Sequence, residues 1–116
     1  MDLHSRLLLD DNILIITVHD SVDTEERAAL TEAIDLLIEE HHPAALVITL
    51  EPAAGTPAGV SVVLRTHRHC TEIGIRMTAV APHPATRYLI KSNQPTLPVH
   101  SHTEHALLTA RTLLRR

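Results

Sequence analysis

Aromatic side chains and cysteine are almost absent from this 116-residue sequence, which has one Tyr, no Phe or Trp and a single Cys70. Proteins that bind single-stranded nucleic acids stack bases on aromatic side chains, so this composition disfavours such a role. The formal net charge of −4 disfavours any nucleic-acid partner. One cysteine excludes an internal disulfide and agrees with a reducing compartment.

The sequence also lacks any apolar run that approaches the length of a membrane span, and its first residues, MDLHSR, lack the pattern of a signal peptide. We therefore expect a cytoplasmic protein with no membrane partner. Hydrophobic residues make up 44% of the chain, which is enough for a folded core. The length predicts one domain over residues 1–116.

What the sequence does contain is an alternation of apolar and amphipathic segments. Ile13–Val18 and Ala45–Leu50 are short runs rich in β-branched residues, which are typical of buried strands. Further strands are predicted at Leu3–Leu9, Ile75–Val80 and Thr96–His100, and helices at Thr24–Glu40, Pro57–Cys70, Ala85–Ser92 and from Ser101 onward. This order predicts an α/β fold with a mixed, mostly parallel sheet of about five strands and about four helices.

Capping signals mark several helix ends. Asp23 and Glu26 have the spacing of a capping box, and Ser101 and Glu104 repeat that spacing before the last helix. Asn93 follows the third helix and favours a left-handed cap there.

Residue spacing also predicts which faces are covered. The alternation in Ile75–Val80 predicts a strand covered on one face only. Val60, Val63, Leu64 and His67 recur at helical spacing and predict the inner face of the second long helix.

The start of that helix is the most informative stretch. Thr56 can cap the free amides, and Pro57 at the first helical position loses no hydrogen bond. The segment TPAGVSVVLRTHR resembles the signature Asp-Ser-Ser-Gly-Leu-Gly of STAS domains, the anti-sigma-factor antagonist family. In this register Thr56 takes the position of the Asp, Pro57 and Ala58 take those of the two Ser residues, and Gly59 and Val60 take those of Gly-Leu.

Other segments resemble the same family in order and spacing. DSVD at residues 20–23 is similar to its Gly-Glu-Leu-Asp region, and IRMTAVAPHPATRYLIKSN and LPVHSHTEHAL resemble its later strands and helices. The resemblance implies a STAS fold, in which strand–helix units follow a superhelix. It also implies a histidine-kinase-like anti-sigma factor, or a related bacterial regulator, as the protein partner. The partner-binding residues that it implies are Asp20, Ser21, Asp23, Thr56, Pro57, Ala58 and Gly59.

One position departs from the family pattern in a way that matters for function. The second Ser of the signature is the residue that a partner kinase phosphorylates, and Ala58 has no hydroxyl group. We therefore expect partner binding without phosphorylation at residue 58. Thr56 and Ser61 carry the nearest hydroxyl groups and are substitute phosphosites only if the switch has moved. Thr56 is expected to be engaged as a cap, and Ser61 lies about one turn further along the helix.

Other function classes have less support in the sequence. A STAS module that binds a nucleotide or another ligand, or that acts as a scaffold, is the alternative to partner regulation. Enzyme activity is not expected, because Cys70 with His67 or His69 is the only local combination of nucleophile and base. We expect no cofactor, and the sequence leaves open whether two copies form a homodimer.

The ten histidines raise the question of a metal site. His100, His102 and His105 cluster at one predicted strand–helix junction, and His67 and Cys70 are three residues apart on a helix. Zinc requires three or four converging ligands in tetrahedral geometry, and neither group has clearly convergent spacing. We therefore expect no metal site.

Overall fold

The computed structural model describes residues 3–115, and in this part of the chain five strands form one sheet that carries four α-helices. The strands are β1 (His4–Leu8), β2 (Ile13–Val18), β3 (Ala45–Leu50), β4 (Arg76–Val80) and β5 (Val99–His100). The helices are α1 (Thr24–His41), α2 (Pro57–Ile73), α3 (Pro84–Asn93) and α4 (Thr103–Leu114), and a short 3-10 turn spans Pro52–Ala54. No helix in residues 3–115 combines the length and the apolar character that a membrane span requires.

The strands lie in the order β1-β2-β3-β4-β5. β1 pairs with β2 in antiparallel orientation, and every later pair is parallel. The tight turn between β1 and β2 contains Asn12 in the left-handed region at φ 60°, a conformation that asparagine tolerates better than most residues. The predicted mixed, mostly parallel sheet is confirmed.

Helices cover the two faces of the sheet unequally. On one face, α1, α2 and α3 bury the side chains of Leu14, Ile16 and Ile48 in the main core. On the other face, α4 packs over a smaller core that includes Ile13 and Val47. β3 is buried at all six positions because it lies between these layers, which explains its continuous apolar sequence.

The prediction that the fourth strand is covered on one face only is wrong. β4 begins at Arg76, which is exposed, and all four residues from Met77 to Val80 are buried. Ala79 packs in the main core and Val80 in the core under α4, so helices cover both faces. Thr78 is only 1% exposed, so the threonine in this strand does not face solvent as the alternation predicted.

The second long helix differs from its prediction in length and in its inner face. α2 continues three residues beyond Cys70 to Ile73, and Gly74 follows it with a φ of 77° that suits a glycine cap. Its buried face includes Val62, Val63 and Thr66, whereas His67 of the predicted face is only half-buried. The true face is therefore rotated from the predicted one.

Two predicted helix caps are also wrong. Asn93 is the last helical residue of α3, and the cap is Gln94 with φ −145°. α4 begins after His102, which makes no side-chain capping bond. The Ser101 hydroxyl instead contacts His102 Nδ1 at 2.9 Å, so it does not form a capping box with Glu104.

The last strand is shorter than predicted. It contains only Val99 and His100, because the preceding residues turn. Leu97 N–H donates to the carbonyl of Gln94 at 3.2 Å, and Pro98 has no N–H to offer a ladder.

Candidate functional site

Two loops meet at the edge of the sheet where β2 and β3 end. The first loop follows β2 and contains Asp20, Ser21 and Asp23, all exposed, around the buried Val22. The second follows β3 and leads through the 3-10 turn to Thr56. Parallel strands bring their carboxyl ends to one edge, which is where open α/β sheets usually place functional groups. The residues predicted from the two sequence segments therefore lie on one side of the molecule.

The Thr56 hydroxyl group joins the two loops. Its Oγ1 accepts a hydrogen bond from Gly59 N–H at 3.1 Å, and this bond confirms the predicted cap of α2. The same hydroxyl donates to the carbonyl of Val22 at 3.1 Å, across 34 residues of sequence. Both hydrogen-bonding functions of the side chain are thus occupied, and the start of α2 is held against the loop before α1.

Asp23 forms the capping box that its spacing with Glu26 predicts. Asp23 Oδ1 accepts from Glu26 N–H at 2.7 Å, and Glu26 Oε1 accepts from Asp23 N–H at 3.2 Å. These reciprocal bonds satisfy two free amides at the start of α1. The Asp23 carboxylate therefore has a structural function, whether or not it also contacts a partner.

Gly59 is required by a close approach of two backbone segments. It is buried in the first turn of α2, and a Cβ atom at this position would lie 2.0 Å from the carbonyl oxygen of Ala54. Real Cβ atoms do not come that close to backbone oxygen. The glycine thus lets α2 start directly against the 3-10 turn, and its presence has a structural explanation.

Ala58 and its neighbours form the part of this surface that departs from the family signature. Ala58 is half-buried and packs against the main core, whereas Pro57 is exposed. Ser61, one turn further on, is half-buried. It lines an apolar groove of about 250 Å³ between α2 and α3, together with Pro57, Val60, Leu64, Leu89 and Asn93.

The charge on this edge of the molecule is negative. Asp20, Asp23 and Glu25 are exposed on the loop before α1 and in its first turn. Beside them, the carboxylate of Glu51, which directly follows β3, contacts His19 Nδ1. A cationic surface on a partner would complement this arrangement.

Sequence reasoning missed one group of side chains beside these loops. Ser5 Oγ lies 2.7 Å from His19 Nε2, and the other ring nitrogen of His19 bonds to Glu51. The three residues come from different segments of the chain, separated by 14 and 32 positions. No local motif signals such a contact, because it depends on the pairing of β1 with β2 and of β2 with β3.

The nucleophile considered from the sequence is placed where it cannot react. Cys70 is buried, and burial, reinforced by the negative charge of Asp35, raises the pKa of its thiol to about 12. A thiol with such a pKa holds its proton at neutral pH, and the thiolate is the reactive form. Burial also lowers the pKa of His67, which favours the neutral imidazole.

The histidines near the start of α4 have other contacts. His100 Nε2 lies 2.9 Å from Thr109 Oγ1, and the rings of His102 and His105 pack edge to face with centroids 5.6 Å apart. The pKa of His100 is lowered by burial, and also by the neighbouring His105 and Lys91. Among residues 3–115, no three His, Cys, Asp or Glu side chains converge as a metal ion requires.

Solved structures with the same architecture include anti-sigma factor antagonists. A variant of RsbS from Moorella thermoacetica superposes with a TM-score of 0.82 at 15% identity, covering 99% of this chain and 100% of the other. An anti-sigma factor antagonist from Mycobacterium paratuberculosis gives 0.72 at 26% identity, covering 93% and 94%. The Bacillus cell fate determinant SpoIIAA in its phosphorylated form gives 0.69 at 15% identity, covering 93% and 99%. No protein-family model and no curated protein matches the sequence.

These similarities extend over nearly the whole of each chain. The five-stranded mixed sheet and its helices form the STAS fold, and the resemblance to STAS domains noted in the sequence is confirmed at the level of structure. The low identities explain why the fold is recognisable in three dimensions while no sequence model matches.

Proposed function

We propose that this chain is an interaction module that binds a histidine-kinase-like anti-sigma factor and thereby releases a sigma factor, a role that requires no catalysis by the module. The proposed contact surface comprises Asp20, Ser21, Asp23, Thr56, Pro57, Ala58 and Gly59. The observation that carries the proposal is the pair of hydrogen bonds made by the Thr56 hydroxyl, which turns two separate loops into one pre-formed surface. Similarity to solved anti-sigma factor antagonists supports a role of this kind.

A pre-formed surface favours binding because little conformational entropy is lost when the partner docks. The apolar groove beside Pro57 and Leu89 offers the partner a place for an aliphatic side chain. Around it, the exposed carboxylates of Asp20, Asp23 and Glu25 favour a cationic rim on the partner. The proposed complex is therefore apolar near α2 and charge-complementary near α1.

Ala58 determines how such a complex would be regulated. A phosphate at this position would add about two negative charges to a half-buried site in the first turn of α2. Ala58 cannot accept it, so the proposed binding is constitutive with respect to that switch. Phosphorylation of Thr56 would displace the bonds to Val22 and Gly59, so it would dismantle the surface.

The test is a titration of this chain against a kinase-like anti-sigma factor from the same organism, with ATP or ADP present. We expect a stoichiometric complex in the presence of either nucleotide. Intact-mass spectrometry and peptide mapping should find no phosphate at residue 58. Ala58→Asp should weaken the complex at least about tenfold, because an unpaired carboxylate would be desolvated at the contact.

Ala85→Asp is a matched control. Ala85 follows Pro84 in the first turn of α3, just as Ala58 follows Pro57 in α2, so both variants place a carboxylate at the same helix position. The control should retain the affinity of the wild type. Equal affinity of both variants and the wild type would contradict the proposed surface. A phosphate mapped to Thr56 or Ser61 that abolishes binding would show instead that the switch has moved.

A further inference from the structure

Ser5 in β1, His19 directly after β2 and Glu51 directly after β3 form a continuous hydrogen-bonded array. Ser5 Oγ lies 2.7 Å from His19 Nε2, and His19 Nδ1 bonds to Glu51 Oε1. With the Glu51 carboxylate as acceptor, Nδ1 carries a proton, and in the neutral imidazole the lone pair of Nε2 then faces the serine hydroxyl. Each ring nitrogen thus has the partner that it has in serine hydrolases, where a carboxylate orients the base and the base activates the nucleophile.

Other hydroxyl–imidazole pairs in residues 3–115 lack the third member. Ser101 contacts His102 Nδ1, and Thr109 contacts His100 Nε2, both at 2.9 Å. No ion pair joins either imidazole to an acidic side chain in the described part of the chain. The array at Ser5 is therefore distinguished by its carboxylate, and the chain supplies its own comparison sites.

The sheet register places the array on the face that α4 leaves open. Ser5 is opposite Thr17, and Thr17 is opposite Thr49. Side chains two positions apart along an extended segment point to the same face of the sheet. His19, two positions after Thr17, and Glu51, two positions after Thr49, therefore lie on the same face as Ser5. On this face α4 makes its main strand contacts with β3, β4 and β5, whereas β1 is mostly exposed. The side chains of His19 and Glu51 are accordingly 41% and 44% exposed, so a small reactant can reach the array.

We propose that Ser5 is an activated nucleophile that takes the acyl group of small activated esters. Ser5 Oγ attacks the acyl carbon and forms an ester, while its proton passes to His19 Nε2. The C–O bond to the leaving group then breaks. The leaving oxygen either takes the proton from His19 and departs as an alcohol or, if acidic enough, departs as its anion while His19 releases the proton to solvent. Glu51 stabilises the imidazolium and holds the ring in place. Water then attacks the acyl-serine, His19 accepts its proton and returns one to Ser5 Oγ, and the carboxylic acid is released.

The free edge of β1 carries a backbone N–H to which we assign the transient oxyanion of the proposed reaction. Leu3 accepts from His19 N–H and Leu9 donates to Ile13, so the odd-numbered residues of β1 pair with β2. The N–H of Arg6 therefore points away from β2 at the free edge of β1. It belongs to the residue after the nucleophile, the position that supplies one oxyanion donor in α/β-hydrolases.

The test is acetylation of the full chain by p-nitrophenyl acetate, followed by acid quench and peptide mapping. We expect one acetyl group on Ser5 and none on Ser101, the comparison site without a carboxylate. If the acyl-enzyme turns over quickly, the equivalent result is steady release of p-nitrophenolate that Ser5→Ala abolishes. His19→Gln should lower the rate at least about tenfold, less than the effect of a base in a closed active site.

Glu51 acts through His19 as a positioning residue and needs its own comparison. Glu51→Gln keeps the shape but removes the charge, and it should lower the rate, whereas Glu51→Asp should restore part of it. Unchanged thermal melts of all variants are expected, since Ser5 and His19 are exposed and the Glu51 side chain is 44% exposed. Acetylation confined to Lys91 or the terminal amine, equal labelling of Ser5 and Ser101, or a rate indifferent to His19→Gln would overturn the proposal.

Discussion

Replacing Thr56 with valine tests the bond that joins the two loops of the candidate surface. Valine has the size and branching of threonine, so the variant removes the hydroxyl with little change in packing. Gly59 N–H then loses its acceptor and the carbonyl of Val22 loses its donor, and both bonds are partly buried. A hydrogen bond contributes about 1 kcal/mol net, so we expect the free energy of unfolding to fall by about 2 kcal/mol. Loss of a helix cap alone accounts for about 1 kcal/mol of this.

The assay is urea denaturation at constant slope, with two comparison variants. Thr56→Ser keeps the hydroxyl and should lose less than about 1 kcal/mol, the value of one buried methyl group. Thr71→Val removes a hydroxyl that bonds only to the carbonyl of His67 on an exposed part of α2, and it should change stability by less than about 0.5 kcal/mol.

Hydrogen exchange gives a second readout that is specific to the loops. In Thr56→Val, the amides of residues 20–23 should exchange faster than in the wild type. The amides of β3 should lose only as much protection as the fall in the global free energy of unfolding accounts for. If Thr56→Val unfolds at the same urea concentration as the wild type, the hydroxyl does not hold the loops together. The argument for a pre-formed surface would then fail.

Four further outcomes are expected. Gly59→Ala should lose about 1–3 kcal/mol through overpacking against Ala54, although alanine is the better helix former, and a gain in urea resistance would contradict the close contact. Asp23→Ala should lose about 1 kcal/mol with its capping box, and an unchanged midpoint would show that the box is not stabilising. Cys70, with its pKa of about 12, should resist iodoacetamide until urea unfolds the chain, and rapid native labelling would refute its burial. The folded-state pKa of His67 lies below its ordinary value of 6.5, so the unfolded chain binds more protons in acid. Stability should therefore be full above pH 6.5 and fall as the pH drops through that folded-state pKa, and His67→Gln should make the fall shallower in urea melts at stepped pH.

Local sequence signals correctly predicted two kinds of element. These are strands that are almost completely buried and helix starts whose capping bonds join residues close together in the sequence. The bounds of β2 and β3 agree with the structure because each is a run of β-branched residues. The start of α1 agrees because Asp23 and Glu26 satisfy free amides three residues apart, a contact that needs no tertiary partner. Thr56 likewise caps α2 as its sequence position predicts.

The same kinds of signal failed where tertiary contacts compete with them. Ser101 and Glu104 have capping-box spacing, yet the Ser101 hydroxyl contacts the neighbouring His102 ring. The alternation around Thr78 predicted an open face, but α4 and the opposite helix layer cover both sides of β4, and a threonine tolerates that burial. Which face of a strand is covered depends on where helices pack, and spacing within the strand does not contain that information.

The sequence predicted the two segments of the candidate surface, but it did not predict that they contact each other to form one surface. A family resemblance placed Asp20–Asp23 and Thr56–Gly59 in a common role, but the bond from Thr56 to Val22 follows only from the positions of two loops at the ends of β2 and β3. The cap explains a threonine at this position, since it needs the hydroxyl as an acceptor. The bond to Val22 uses the same hydroxyl as a donor, and this second use connects a local cap to the surface.

The array at Ser5 depends on sheet register even more strictly. Ser5 meets His19 only because β1 pairs with β2 so that Ser5 is opposite Thr17. A shift of β1 by one residue would turn Ser5 to the opposite face and bring His4 or Arg6 beside His19. The register is held by the tight turn at Asn12, since β1 itself is too exposed to be held by burial. The hairpin turn therefore positions the nucleophile of the proposed reaction, although it lies at the other end of the strand pair.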